Sequence, residues 1–321
     1  MTPTIDPASS RLFEPLQVSK MKLSHRIVFP PLTRNRNDDD HFPLPFMAKY
    51  YADRASTLGT LVISEESAVS HLEEGQDNTP GFVSERQKGS YYFHQIWRMG
   101  RASYPGFMAR KGLKYRSSSA EEILKIMQSF VDTAKRIHCA HGYLLDQLLS
   151  DAVNKRTDKW GGSTENRARL VLGVVKGVVD AVSADRVALR LSPHAAFQQA
   201  EKGDIHGQYL YIIAQLKTTV PPLAYLSLVE ATRNPRALIF RGGYHCETVA
   251  WALEERYKKW NTLIAFGRHF LTNPDLVFRI QYGVELNKYK RPTFYLTKNE
   301  VSYNDYPFSK EYLAARQAEL P

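Results

Sequence analysis

Residues 163–191 read STENRARLVLGVVKGVVDAVSADRVALRL, and this stretch holds the fold in miniature. Ser163 stands where a helix cap belongs, because its hydroxyl can accept a hydrogen bond from an otherwise unsatisfied backbone N–H. Leu170, Val171, Val174, Val175 and Val178 then recur at helical spacing and mark one apolar face. Residues 187–191 follow as a short, nearly unbroken apolar run, the mark of a strand buried on both faces.

The same exchange of strand-sized and helix-sized runs extends in both directions. Candidate strands lie at 27–29, 61–64, 91–96, 187–191, 223–229, 238–241 and 262–266. Strands that alternate with amphipathic helices predict a parallel sheet with helical crossovers, an α/β fold of the TIM (β/α)8 barrel type. Ser119 with Glu122 three residues on forms a capping box, and Ile123, Ile126, Met127, Phe130, Val131 and Ala134 carry its helix to about Arg136. Asn273, Pro274 and Asp275 read as an N-cap, a first helical proline and an acid suited to the helix dipole. Seven strands are visible where a barrel has eight. The gap falls between Arg136 and His138, so the barrel is expected to be incomplete or distorted around its fourth strand.

The chain of 321 residues exceeds the roughly 250 that a minimal barrel needs, which fits one domain over 1–321 with an irregular tail from about 284. No apolar run approaches the ~20 residues of a membrane span. Residues 1–11 lack a basic-then-apolar leader, so the expected location is cytoplasmic. Cys139 and Cys246 form no CxxC pair, which fits a reducing compartment. The net charge is +10, with Arg98, Arg101, Arg110, Lys111, Lys114 and Arg116 close together; without a nucleic-acid motif this reads as a solvated basic face.

Barrel enzymes carry their chemistry at the C-terminal ends of the strands. Pro31, Leu32, Thr33 and Arg34 follow the first candidate strand, and Glu65 and Glu66 the second. Gln95 and Trp97 close the third, Arg190 lies in the next visible one, Gly242 and Gly243 follow 238–241, and Gly267 and Arg268 follow the last. Glycine turns let backbone N–H groups approach an oxyanion and an arginine adds a charged fork, so the last two pairs suit a phosphate. His138, Cys139, Ala140, His141, Gly142 and Tyr143 set two imidazoles and a phenol close together. That set suits carbonyl binding and proton delivery. A metal site lacks an evident third ligand, and a purely structural pair remains an alternative; Cys139 reads as a buried packing residue.

These residues stand within an order of motifs that resembles the Old Yellow Enzyme family. It runs LFEPLQV (12–18), RIVFPPLTR (26–34), YYADRAS (50–56), LVISE (61–65), NTPGF (78–82), HQIWRMGRAS (94–103), HCAHGYLLDQLLSDAVNKRTDKWGGSTENRARL (138–170), LRLSP (189–193), RGGY (241–244), IAFGRHFLTNPDL (264–276), TFY (293–295) and YNDYPF (303–308). The fragments cover nearly the whole chain, and residues 154–167 and 267–276 are the most specific. The resemblance implies a barrel that binds FMN, takes hydride from NADPH or NADH, and reduces the C=C bond of an α,β-unsaturated carbonyl compound. Fungal relatives of this kind often serve secondary metabolism.

By that resemblance Pro31, Thr33, Gln95 and Arg190 would contact the flavin ring, while Gly242, Gly243, Gly267 and Arg268 would hold its phosphate. His138 and His141 would bind the substrate oxygen, Tyr143 would give the proton, and Trp97 and Tyr295 would shape the pocket. The partner would be a small molecule with an activated alkene, neither nucleic acid nor membrane, and the protein a monomer or homodimer. The chain departs from the pattern in segments shortened after 87, 118 and 230, in the missing fourth strand, and in Glu66, which stands where a small residue usually backs the flavin. Those departures raise a second expectation, an inactive or binding-only relative, and a third, a flavin-free isomerase.

Overall fold

The computed structural model describes residues 5–68, 75–80, 91–112, 118–133, 136–229 and 246–318. Its strands are β1 (Leu16–Val18), β2 (Met21–Leu23), β3 (Ile27–Phe29), β4 (Leu61–Ala68), β5 (Tyr91–Trp97), β6 (Arg136–Cys139), β7 (Ala188–Leu191), β8 (Tyr225–Leu228) and β9 (Ile264–Ala265). The helices are α1 (Phe46–Arg54), α2 (Pro105–Arg110), α3 (Ala120–Thr133), α4 (Leu144–Leu149), α5 (Thr164–Val182), α6 (Ile205–Thr219), α7 (Cys246–Trp251), α8 (Gly267–Thr272), α9 (Leu276–Tyr282) and α10 (Lys310–Ala318). They fall into two compact units: Met1–Glu65, Ser84–Phe93 and Arg241–Pro321 form the first, and Glu66–Val83 and His94–Phe240 the second.

In the first unit β3 pairs in parallel with β4, setting Val28 opposite Leu61, and with β9, setting Ile27 opposite Ile264. All three residues of β3 are buried, as its unbroken apolar run requires. Two buried arginines tie later segments of the chain into this unit. Arg34 donates to the carbonyls of Phe294 (3.0 Å) and Ser302 (2.7 Å), and Arg54 to that of Phe270 (2.9 Å). Tyr50 and Tyr303 stack 3.9 Å apart beside them, and the Arg54 guanidinium lies 3.6 Å from the Tyr50 ring centroid. Planar guanidinium groups with several donors can saturate backbone carbonyls that no ladder reaches. The tail is accordingly not wholly irregular: it carries a 3₁₀ turn at Arg291–Thr293 and ends in α10.

In the second unit β5, β6, β7 and β8 pair in parallel, in that order. The core joins Ile96 of β5, Ile137 of β6 and Leu189 and Leu191 of β7 to Ile126 and Phe130 of α3, Val171, Val174, Val175 and Val178 of α5, and Ile212 of α6. Helices α3 and α5 approach closely because α5 presents glycines to α3. A Cβ on Gly177 would sit 2.6 Å from Val131, and one on Gly173 2.7 Å from the Met127 sulfur. Both capping motifs form: Glu122 N–H donates to Ser119 Oγ (3.1 Å), Ser119 N–H donates to Glu122 (2.7 Å), and Asn166 N–H donates to Ser163 (3.3 Å).

Three expectations change. The fourth strand is present: β6 sets Ile137 opposite both Ile96 and Leu189. Arg136, where the helical pattern was expected to end, instead opens β6, while α3 is described over Ala120–Thr133 and residues 134–135 lie outside the described residues. An inner strand satisfies backbone groups on both edges, at roughly 1–3 kcal/mol for each buried group otherwise left unpaired. The helix expected to begin at Pro274 begins at Leu276 instead. Asn273 is committed elsewhere, accepting from Asn287 N–H (2.7 Å), while Asp275 accepts from Arg279 Nε (2.7 Å) and Ser309 N–H (2.8 Å). The candidate strand at 238–241 lies outside the described residues, as do Gly242 and Gly243. Among the described residues no helix is long and apolar enough to cross a membrane.

Candidate active site

The site is built at the ends of β5, β6 and β7 and on the loop that follows β6. His138 is fully buried on β6, and Ala140 N–H donates to its Nδ1 at 3.3 Å. In the neutral ring that bond leaves the hydrogen on Nε2, so the imidazole presents a donor. The chain then turns through two left-handed residues, His141 (φ 55°) and Gly142 (φ 71°). Only glycine fits the second position, because a Cβ there would lie 2.3 Å from the Phe197 carbonyl oxygen.

The turn delivers Tyr143, half-buried, just ahead of α4. Its ring meets Trp97 edge-on at 4.4 Å and His138 at 5.3 Å; His141 and His138 stand 5.9 Å apart. Trp97 is buried, and its indole N–H finds no acceptor among the described residues. One indole and one imidazole thus meet the phenol, with the second imidazole beside the first.

On the neighbouring strands, buried Arg190 donates to Gln95 Oε1 at 3.2 Å and lies 3.3 Å from Glu66 Oε1. The same carboxylate oxygen is 3.7 Å from His138 Nε2. A buried guanidinium beside a buried carboxamide offers donors and an acceptor side by side, the set that an imide edge such as the flavin pyrimidine requires. The donor chemistry of this unit therefore fits FMN, with Glu66 a group of the wrong sign beside Arg190.

A second group of residues supports the turn and was not visible in the sequence. Asp146, fully buried on α4, accepts from Gly142 N–H at 2.8 Å and from Ser192 Oγ at 3.3 Å, and Ser192 Oγ accepts from His141 N–H at 2.8 Å. Lys202 Nζ lies 2.9 Å from Asp146 Oδ1, and Tyr209 donates to the same oxygen at 3.2 Å. Burial raises the Asp146 carboxyl above the usual carboxylate range against the pull of Lys202. Burial also raises the Tyr209 phenol well above its ordinary value, with Asp146 adding to the effect. Gln147 completes the brace by donating to the carbonyls of Met99 (2.9 Å) and Gly142 (2.7 Å). The available signal was Asp146 and Gln147 within the apolar run LLDQLL, where polar side chains on a buried helix need partners. Cys139 is a packing residue: buried and free, its thiol is pushed well above its usual value by burial and then by Asp146.

The other expected site residues lie in the first unit. Pro31 is buried and Thr33 half-buried after β3, and Gly267 and Arg268 open α8 directly after β9. Arg268 is exposed and donates to the Tyr289 hydroxyl at 2.9 Å. Tyr295 is 63% exposed, its ring centroid 6.4 Å from that of Phe294.

Residues 11–238 match the NADH:flavin oxidoreductase / NADH oxidase family. Chanoclavine-I aldehyde reductase fgaOx3 of Penicillium roqueforti is 36% identical, over 96% of this chain and 99% of the relative. That alignment spans 368 positions, more than the 321 residues of this chain, so the shortening is internal. The probable inactive reductase easA of Epichloe festucae var. lolii is 33% identical, over 95% of this chain and 97% of that protein. The crystal structure of Old Yellow Enzyme from Pichia sp. AKU4542 superposes with a TM-score of 0.86 at 33% identity, covering 95% of each chain. The fold class is accordingly α/β, of the TIM barrel type. By the matched length, the identity and the shared fold, this chain belongs to the NADH:flavin oxidoreductase / NADH oxidase family, whose cofactors are FMN and NADPH or NADH.

Proposed function

We propose that this chain is an FMN-dependent ene-reductase that saturates the C=C bond of an α,β-unsaturated carbonyl compound, with an unsaturated aldehyde as the favoured substrate class. Bound FMN would supply the hydride, taken from NADPH or NADH, to the β-carbon of the alkene. The remaining steps fall to side chains. Arg190 and Gln95 hold the pyrimidine edge of the ring, with Pro31 and Thr33 as further flavin contacts. Gly242, Gly243, Gly267 and Arg268 hold the phosphate.

His138 Nε2–H and His141 hydrogen-bond the carbonyl oxygen and draw electron density from the double bond. The Tyr143 hydroxyl protonates the α-carbon. Trp97 and Tyr295 shape the pocket, although the exposure of Tyr295 in its own unit makes Trp97 the firmer wall. The observation that carries this reading is the placement of Tyr143 against both Trp97 and His138, in the unit that also joins Arg190 to Gln95. Aldehyde reductases among the relatives support the substrate class.

The test is spectroscopic. Protein purified with FMN is expected to be yellow, to bleach under NADPH without oxygen, and to recover its colour when an unsaturated aldehyde is added. Protein that stays colourless after FMN is supplied would overturn the proposal. A second reading, a binding-only relative, is favoured by the contact of Glu66 with Arg190. It requires bound FMN that NADPH fails to bleach.

A further inference from the structure

We infer that Glu66 is a built-in redox-tuning residue whose carboxylate competes with reduced flavin for Arg190; this rests on the flavin reading above. Glu66 lies toward the C-terminal end of β4 with its side chain 7% exposed, and its Oε1 lies 3.3 Å from Arg190 Nη1 and 3.7 Å from His138 Nε2. The Arg190 and His138 side chains are 2% and 0% exposed, so little water screens the three groups from one another.

Hydride transfer from the nicotinamide brings two electrons and one proton, so the nicotinamide is oxidised and neutral flavin becomes its reduced anion. A cation beside the ring favours that anion over the oxidised form. Here the cation already faces a carboxylate at ion-pair distance, so the stabilisation it offers a second anion is reduced. The same carboxylate is drawn toward His138, the group assigned to the substrate oxygen. Glu66 therefore sets one negative charge between the flavin-side cation and the substrate-side imidazole. The consequence is weaker binding of reduced FMN relative to oxidised FMN, and a lower midpoint potential than the same site would give with a neutral residue.

The experiment measures FMN dissociation constants and the midpoint potential of bound FMN in the full chain, in Glu66→Gln and in Glu66→Ala. Glu66→Gln keeps the shape and removes the charge, so it reports on charge even if the smaller side chain unsettles the fold. In both variants reduced FMN is expected to gain about tenfold in affinity relative to oxidised FMN, a rise of about 30 mV for a two-electron couple. Binding of FMN by the variants alone, with none by the unaltered chain, would overturn both the flavin reading of this chain and the tuning role of Glu66. Potentials and affinities equal to those of the unaltered chain, or lower potentials, would overturn it while leaving the flavin reading intact. Absence of FMN binding in all three proteins would remove both.

Discussion

Asp146 Oδ2 accepts a 2.8 Å hydrogen bond from the backbone N–H of Gly142, and through it the left-handed turn ahead of Tyr143 is anchored to α4. The other carboxylate oxygen faces Lys202 at 2.9 Å with both side chains out of water. Removing one member strands a buried charge, at roughly 3–5 kcal/mol. Asp146→Asn and Lys202→Met are each expected to lower stability on that scale in urea unfolding. The double variant should lose less than the sum, because neither charge is then left alone. Additive losses would show that the pair is not coupled.

The fourth strand gives a prediction about packing. Ile137 is fully buried between β5 and β7, and its truncation to alanine is expected to cost about 2–5 kcal/mol. Leu124, 45% exposed on α3, is the control, and Leu124→Ala should stay within about 0.5 kcal/mol of the unaltered chain. Similar small losses at both positions would mean that β6 is not an inner strand.

Why that strand escaped notice in the sequence is physical. Apolar residues at helical spacing continue to Ala134, and the strand is only four residues long and alternates Arg136 and His138 with Ile137 and Cys139. A short strand with two polar residues has too little pattern to compete with the end of a strong helix. By contrast, β3 and the two capping motifs were legible because their signals lie within a few adjacent residues. The cluster of His138, His141 and Tyr143 was legible for the same reason. The brace of Asp146 with Lys202, Ser192 and Tyr209 was not, because partners distant in sequence meet only after folding. The clamps of Arg34 and Arg54 on backbone carbonyls were hidden likewise, since a backbone carbonyl leaves no mark in the sequence.

His25 ties stability to pH. It is buried, with Nε2 3.0 Å from Thr60 Oγ1 and Nδ1 accepting from Ile27 N–H at 3.2 Å. Burial lowers its pKa to about 4. The unfolded chain titrates this residue near 6.5, so between about pH 6.5 and 4 the unfolded state holds a proton that the folded state refuses. Stability should therefore fall as pH drops through that window, by roughly 3 kcal/mol in all, and then level off with respect to this group. In His25→Gln the slope across the window should flatten. An unchanged slope would show that other groups dominate acid unfolding.

The central claim is that Tyr143 delivers a proton at a flavin site, and stopped-flow separation of the two half-reactions in Tyr143→Phe tests it most directly. Bleaching of bound FMN by NADPH should proceed at close to the unaltered rate. Recolouring by an unsaturated aldehyde should slow by about 10²–10⁴-fold, the usual contribution of a positioned general acid. An unslowed recolouring step, or equal slowing of both half-reactions, would contradict the account.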